Sequence, residues 1–189
     1  GFYILLLSGC LTSSCIYGNA AQKKRKPEWG YDFDTKEGLE ELEFRLKKNK
    51  LRQKLVFSHK SLVHPREKST SNKTERSGYG YCMEEYRAKK VRGILKKHNV
   101  IAHYSGHCHI NSRNKKNKIE YISTSSLENF PGEVRHVSVF KNEIIHRIIS
   151  IPGGKKLPIR WPGLKDPNHH TVNSYYMGNK EERNFSIKI

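Results

Sequence analysis

Three histidines in this chain have the residue types and spacing to do chemistry: His59, His107 and His109. His59 closes the apolar run Lys54-Leu55-Val56-Phe57-Ser58, and His107-Cys108-His109 follows Tyr104-Ser105-Gly106. Two imidazoles one residue apart, delivered at the mouth of a sheet, can each direct a nitrogen toward a different ion of a close pair. Gly106 lets the backbone turn sharply just before them without a Cβ penalty. Two ions about 3.5 to 4 Å apart suit hydrolysis of a phosphate ester, because one generates hydroxide while both offset charge on the phosphoryl oxygens. Imidazole favours iron, zinc, nickel or copper, and carboxylates in the same site would bring manganese within range.

The remaining candidates have weaker claims. His103 lies within or beside its strand and reads as a packed or hydrogen-bonded histidine, and His64 is a candidate for touching substrate. Cys108 could offer a thiolate, but a filler position between two ligands is the plainer reading. Arg135 could meet a phosphate near the site mouth or be an ordinary surface arginine. His136, His146, His169 and His170 have no partner pattern and receive no role.

The elements that must position these residues can be read from periodicity. Phe2-Tyr3-Ile4-Leu5-Leu6-Leu7 is a short apolar run that reads as a buried strand, followed over 10–30 by a polar, basic connection. Leu7-Ser8-Gly9-Cys10 resembles a lipobox, yet the charged leader and longer apolar core of a signal peptide are missing, so the strand reading is preferred. Asp34 with Glu37 has the form of an N-cap and capping box, and Leu39, Leu42 and Leu46 recur at helical spacing, predicting a helix over 35–48. The run at 54–57 is a strand that ends at His59. A Ser-, Lys-, Thr- and Asn-rich excursion over 66–80 reads as an exposed flap. Ala88, Val91, Ile94 and Leu95 then mark a helix over 83–98, ended by Asn99, and Val100-Ile101-Ala102 is another strand that ends near the paired histidines.

Strand, helix, strand, helix, strand at this spacing predicts a parallel sheet covered by helices, with ligands at the carboxyl ends of the strands. Strand candidates at 119–124, 134–140 and 144–151 follow without intervening helices, with Lys141-Asn142 as a tight turn, so this part is expected to be antiparallel. The division expected is one domain over 1–152 and an extended or partly ordered C-terminal tail over 153–189.

Val56-Phe57-Ser58-His59, Ser105-Gly106-His107-Cys108-His109, and Tyr121-Ile122-Ser123-Thr124 leading to Pro131-Gly132-Glu133-Val134-Arg135 together resemble the closing blocks of the calcineurin-like metallophosphoesterases. That resemblance implies part of a four-layer αββα sandwich, in which a parallel βαβαβ portion precedes antiparallel strands. It implies that His59 and His107 bind one metal and His109 the other, with two divalent ions (manganese, iron or zinc) in the complete site. It implies a phosphorylated small molecule or nucleotide as substrate. The family's opening blocks, D-x-H, G-D-x-x-D and G-N-H followed by an acid, do not occur here, and Asp32 and Asp34 precede a helix in the wrong context to replace them. Three imidazoles do not make a competent two-metal site. A partial sequence, opening without Met inside a strand, would account for the missing blocks, and the rival is an inactive basic binding module that keeps the fold. Lys60-Ser61 after His59 also departs from relatives, which often carry a second His or a Pro there.

Composition bounds the rest. The chain has 189 residues, enough for one domain with a real core. Lys and Arg number 36 against 18 acidic residues, a formal charge of +18 that would attract phosphate-bearing ligands, nucleic acid or anionic membrane. These charges are scattered rather than blocked, which favours a solvated basic surface over dedicated nucleic-acid binding. The four cysteines form no C-x-x-C pair and no zinc-finger spacing. No apolar run approaches the roughly 20 residues that a membrane span needs.

Overall fold

The structure, a computed structural model, describes residues 2–7, 35–65, 83, 85–158 and 175–189. Strand β1 (Phe2–Leu7) leads through helix α1 (Lys36–Lys48) to β2 (Gln53–Ser58), then through α2 (Glu85–Lys97) to β3 (Val100–Ser105). Next come β4 (Ser112–Lys116), β5 (Ile119–Ser123), β6 (Glu133–Val139) and β7 (Glu143–Ser150). A single 3-10 turn at Gly154–Lys156, helix α3 (Lys180–Arg183) and β8 (Phe185–Lys188) complete the described elements.

Five strands form one sheet in the order β1-β2-β3-β5-β4, in which β1 pairs parallel with β2, β2 with β3, and β3 with β5. The strands joined by α1 and by α2 are therefore neighbours, as expected for βαβ crossovers of this length. A second, antiparallel sheet has the order β6-β7-β8. The chain is a mixed α/β protein, and its described layers run helix, sheet, sheet, compatible with part of the metallophosphoesterase sandwich.

Burial on both faces of the first sheet explains why its strands read as continuous apolar runs rather than alternating ones. On one face Val56, Val100, Ile119 and Tyr121 pack with Leu42 and Leu46 of α1 and with Ala88, Val91 and Leu95 of α2. On the other, Leu55, Ala102, Tyr104 and Ile122 pack against Ile144 and Ile187 of the second sheet. At about 25 cal/mol per Å² of apolar area removed from water, these two clusters are the main cohesive force of the fold.

Several local expectations shift. Thr35, not Asp34, caps α1: its side chain accepts from the Gly38 amide at 3.0 Å, one residue later than the capping-box pattern suggested, while Asp34 lies outside the described residues. Helix α2 ends as expected at Asn99, which takes a left-handed φ of 52°. The strand expected at 119–124 belongs to the first sheet as β5, parallel to β3, rather than to an antiparallel set with the last two strands. What turns it parallel is β4, an antiparallel edge strand whose sequence Ser-Arg-Asn-Lys-Lys gave no apolar signal. Phe185–Lys188, within the stretch expected to be tail, pairs with β7 and buries Ile187. The 66–80 excursion and the lipobox-like Ser8-Gly9-Cys10 lie outside the described residues. No described helix is long and apolar enough to cross a membrane.

Candidate metal centre

Register delivers the histidines. Phe57 pairs with Tyr104 and Ser58 with Ser105 across β2 and β3, so the two chains leave the sheet side by side. The ladder continues one step further, because the Gly106 amide donates to the His59 carbonyl at 3.1 Å. His59 Nε2 and His107 Nδ1 then meet at 2.6 Å, with ring centroids 4.5 Å apart and planes at 68°. One nitrogen must carry the shared proton and the other accept it. His59 is exposed and His107 half-buried, so the pair opens to solvent.

His107 and His109 both adopt left-handed backbone, φ 57° and 55°, a region non-glycine residues visit sparingly and one enriched at functional sites. The consequence is an alternation. Cys108 and Ile110 tuck into an apolar cluster with Phe130 and Tyr176, while His107 and His109 are left half-buried on the other side. Cys108 is thus packed into the interior, away from solvent. His109 Nδ1 lies 3.4 Å from the Asn129 amide nitrogen, apart from the His59–His107 contact. Among the described residues, no three of His, Cys, Asp and Glu are grouped to hold a metal ion.

Behind the pair sits a neutral polar anchor. Ser58 Oγ donates to the Lys60 carbonyl at 2.7 Å and stands 2.8 Å from His103 Nε2, fixing the backbone on both sides of His59. Because that hydroxyl proton is committed to Lys60, His103 carries its own proton on Nε2 and leaves Nδ1 buried without a described partner. Burial holds its pKa far down, to about 3, so it stays neutral. His146, 2.9 Å from the Tyr104 hydroxyl and stacked on Phe185, is held to about 4 by burial and then by the Arg135 charge. Arg135 is engaged by acceptors of the protein itself. Its guanidinium donates to the carbonyls of Glu182, Arg183 and Ser123 and to Thr124 Oγ1, and burial lowers its pKa to about 10. His64 is half-buried in the loop after β2, His136 is exposed, and His169 and His170 lie outside the described residues.

An ion bound to two imidazole nitrogens at about 2.0 to 2.1 Å in tetrahedral geometry holds them about 3.3 Å apart. The His59–His107 pair, converging at 2.6 Å, reaches that spacing with a ring adjustment below an ångström. The residues described therefore fit the imidazole ligands of one ion. They do not fit a two-ion centre, for which His109 and a bridging carboxylate would have to join the same group.

Sequence reasoning missed what holds this corner together. Asn111, fully buried, donates through Nδ2 to Glu133 at 2.6 Å and accepts the Ser125 amide at 3.1 Å. Glu133, also buried, takes both arms of the Arg183 guanidinium at 2.7 and 2.8 Å. Glu133 stood in a block singled out from sequence but without a role, and nothing local marked Arg183.

No protein-family model matches the chain, and no curated protein matches it in sequence. Among solved structures, it resembles a dimetal phosphatase from Danio rerio, with TM-score 0.47 and 18% identity over 63% of this chain and 35% of that one. It also resembles a conserved protein described as a predicted phosphoesterase from Streptococcus pneumoniae TIGR4, with TM-score 0.32 and 11% identity over 98% and 97% of the two chains. This chain spans about a third of the length of the zebrafish protein. The functional reading below rests on the residues themselves.

Proposed function

We propose that this chain contributes to the metal-dependent hydrolysis of phosphate esters, monoester or diester, with His59 and His107 as ligands of one divalent ion. The supporting observation is the convergence of His59 Nε2 and His107 Nδ1 at the carboxyl ends of two adjacent parallel strands, where ligands of such sheets gather. His109, two residues on, is assigned to a second ion in a complete site, as the resemblance to calcineurin-like metallophosphoesterases implies. Manganese, iron and zinc all suit that donor set once carboxylates join it.

Each residue has a definable task. His59 and His107 hold the ion at the solvent edge, where a phosphorylated small molecule or nucleotide has access. The Ser58–His103 contact fixes the peptide that carries His59, and an orienting contact behind a ligand tunes metal affinity as well as position. A bound ion would polarise a phosphoryl oxygen and acidify a water. The overall +18 charge raises the local concentration of anionic substrate.

The ligand count supports the further reading that the chain alone is catalytically incomplete. Three neutral imidazoles bring no negative charge to offset two divalent ions and no bridging carboxylate to hold them together. The second reading, a basic binding module that retains the fold without the chemistry, draws on the same shortage of a third grouped ligand among the described residues. Assay with p-nitrophenyl phosphate and bis-p-nitrophenyl phosphate, with manganese, zinc or iron supplied, separates them. Hydrolysis is expected from a protein in which the missing ligand blocks accompany this chain, and is expected to vanish on His107→Ala. A complete protein that binds phosphate esters without turning them over would leave the binding module.

A further inference from the structure

We propose that the C-terminal segment 175–183 positions the His107-Cys108-His109 turn, with Arg183 as the positioning residue; this rests on reading His107 as a metal ligand. Two residues in left-handed backbone, His107 and His109 on either side of Cys108, persist only where the surroundings over-determine them. That determination comes from the far end of the chain.

The segment grips the turn in three ways. Tyr176 buries its ring with Cys108, Ile110 and Phe130, packing edge-on to Phe130 at a centroid distance of 6.4 Å, and so holds the inward side chains of the alternation. The Asn111 amide donates to the Tyr176 carbonyl at 2.9 Å. Gly178, at φ +74°, lets the backbone pass so close to Asn111 that a Cβ there would stand 2.6 Å from its carbonyl oxygen.

Arg183 completes the grip through charge. Asn111 hangs on Glu133, and Glu133 is a buried carboxylate met bidentately by Arg183, with Ser150 Oγ donating at 2.8 Å. Arg183 is held in turn, donating to the Met177 carbonyl at 3.0 Å, while Asn179 caps α3 with a reciprocal Glu182 contact. Arg135 donates to the Glu182 and Arg183 carbonyls from β6. Removing the guanidinium leaves Glu133 without its bidentate partner in the interior, and an unpaired buried charge is costly enough that its side chain is expected to shift toward water. That shift weakens the Glu133 contact to Asn111, and with it the hold on the turn.

The test compares the chain with Arg183→Met, Gly178→Ala and Leu95→Ala, the last a destabilising change in the α2 core remote from the turn. Two readouts are taken under conditions where each variant is folded: proton NMR contacts between the His59 and His107 rings without metal, and zinc affinity by chelator competition. Arg183→Met and Gly178→Ala are expected to lose the ring contact and to bind zinc about tenfold more weakly or worse, the scale seen when contacts behind a metal ligand are removed. Leu95→Ala is expected to keep both. Should Arg183→Met fail to fold, Gly178→Ala decides alone. Retention of ring contact and affinity in both network variants overturns the proposal, as does an equal loss in Leu95→Ala. Because the ring contact is read without metal, a protein that hydrolyses nothing leaves this result standing.

Discussion

Acid should loosen this fold through two buried histidines that are not among the proposed metal ligands. His103 and His146 are buried and neutral, their pKa values held from 6.5 down to about 3 and about 4, first of all by burial. Histidine is charged when protonated, so a depressed folded-state pKa means that the unfolded chain binds more protons. Stability therefore rises with pH across this window, is fully present above about 6.5, and drains as the pH falls toward 4. At pH 5 an unfolded imidazole is protonated about thirtyfold over its neutral form, whereas either buried ring is protonated in only a small minority of folded molecules. That ratio corresponds to about 2 kcal/mol per residue, or about 4 kcal/mol for both, a large part of the 5 to 15 kcal/mol typical of a domain. Carboxylates intrude little at this pH. Glu43 and Glu85, lowered from 4.5 chiefly by hydrogen bonds from Lys97 and Arg92, lose their contribution only at more acid pH. Urea unfolding at pH 7 and pH 5, for the chain and for His146→Gln, measures the effect directly. Glutamine can still meet the Tyr104 hydroxyl, so the variant should fold, and its stability difference between the two pH values should shrink by about 2 kcal/mol. An unchanged difference, or an NMR titration of His146 near 6.5, would refute the assignment of burial as the cause.

Core and buried-polar variants give further outcomes. Leu95→Ala, at a fully buried position of α2, should cost about 2 to 5 kcal/mol in chemical denaturation with no change in zinc affinity. Arg92→Ala should cost about 1 to 3 kcal/mol, because its buried guanidinium satisfies the Leu62 carbonyl at 2.6 Å and anchors Glu85 to the loop that follows His59. Glu133→Ala should be costlier, about 3 to 5 kcal/mol, since it strands a half-buried guanidinium and unpins Asn111. The chain alone should turn over p-nitrophenyl phosphate and its bis ester negligibly with any of the three metals, and metal-dependent turnover lost on His107→Ala would show a complete site built from residues assigned no role.

What was legible in the sequence was whatever burial on a regular period had written. Val56 and Phe57 with Ala102 and Tyr104 announced two strands, the helical spacing of Leu42 and Leu46 announced α1, and one intervening helix made neighbours of the strands that bear His59 and His107. Their meeting followed from topology. What stayed hidden lacked a period. Strand β4 is polar because it lies at an edge with exposed Lys115, and it is recruited by pairing with β5 rather than by its own side chains. Strand β8 has only four residues, too few for alternation to register, although Phe185 and Ile187 do face the core. The Asn111–Glu133–Arg183 network joins residues up to 72 positions apart through charge and hydrogen bonds, for which local sequence carries no signature. His109 shows the reverse limit: spacing placed it beside His107, but the left-handed turn set its ring toward Asn129.

The central claim is that His59 and His107 are partners on one ion, and equilibrium zinc titration of the chain against His59→Ala and His107→Ala tests it most directly. The account predicts that either substitution alone weakens binding by a similar large factor, that the double variant is scarcely worse than either single, and that His136→Ala, at an exposed position, changes nothing. Zinc bound equally well after both substitutions, or lost as readily with His136→Ala, would contradict it.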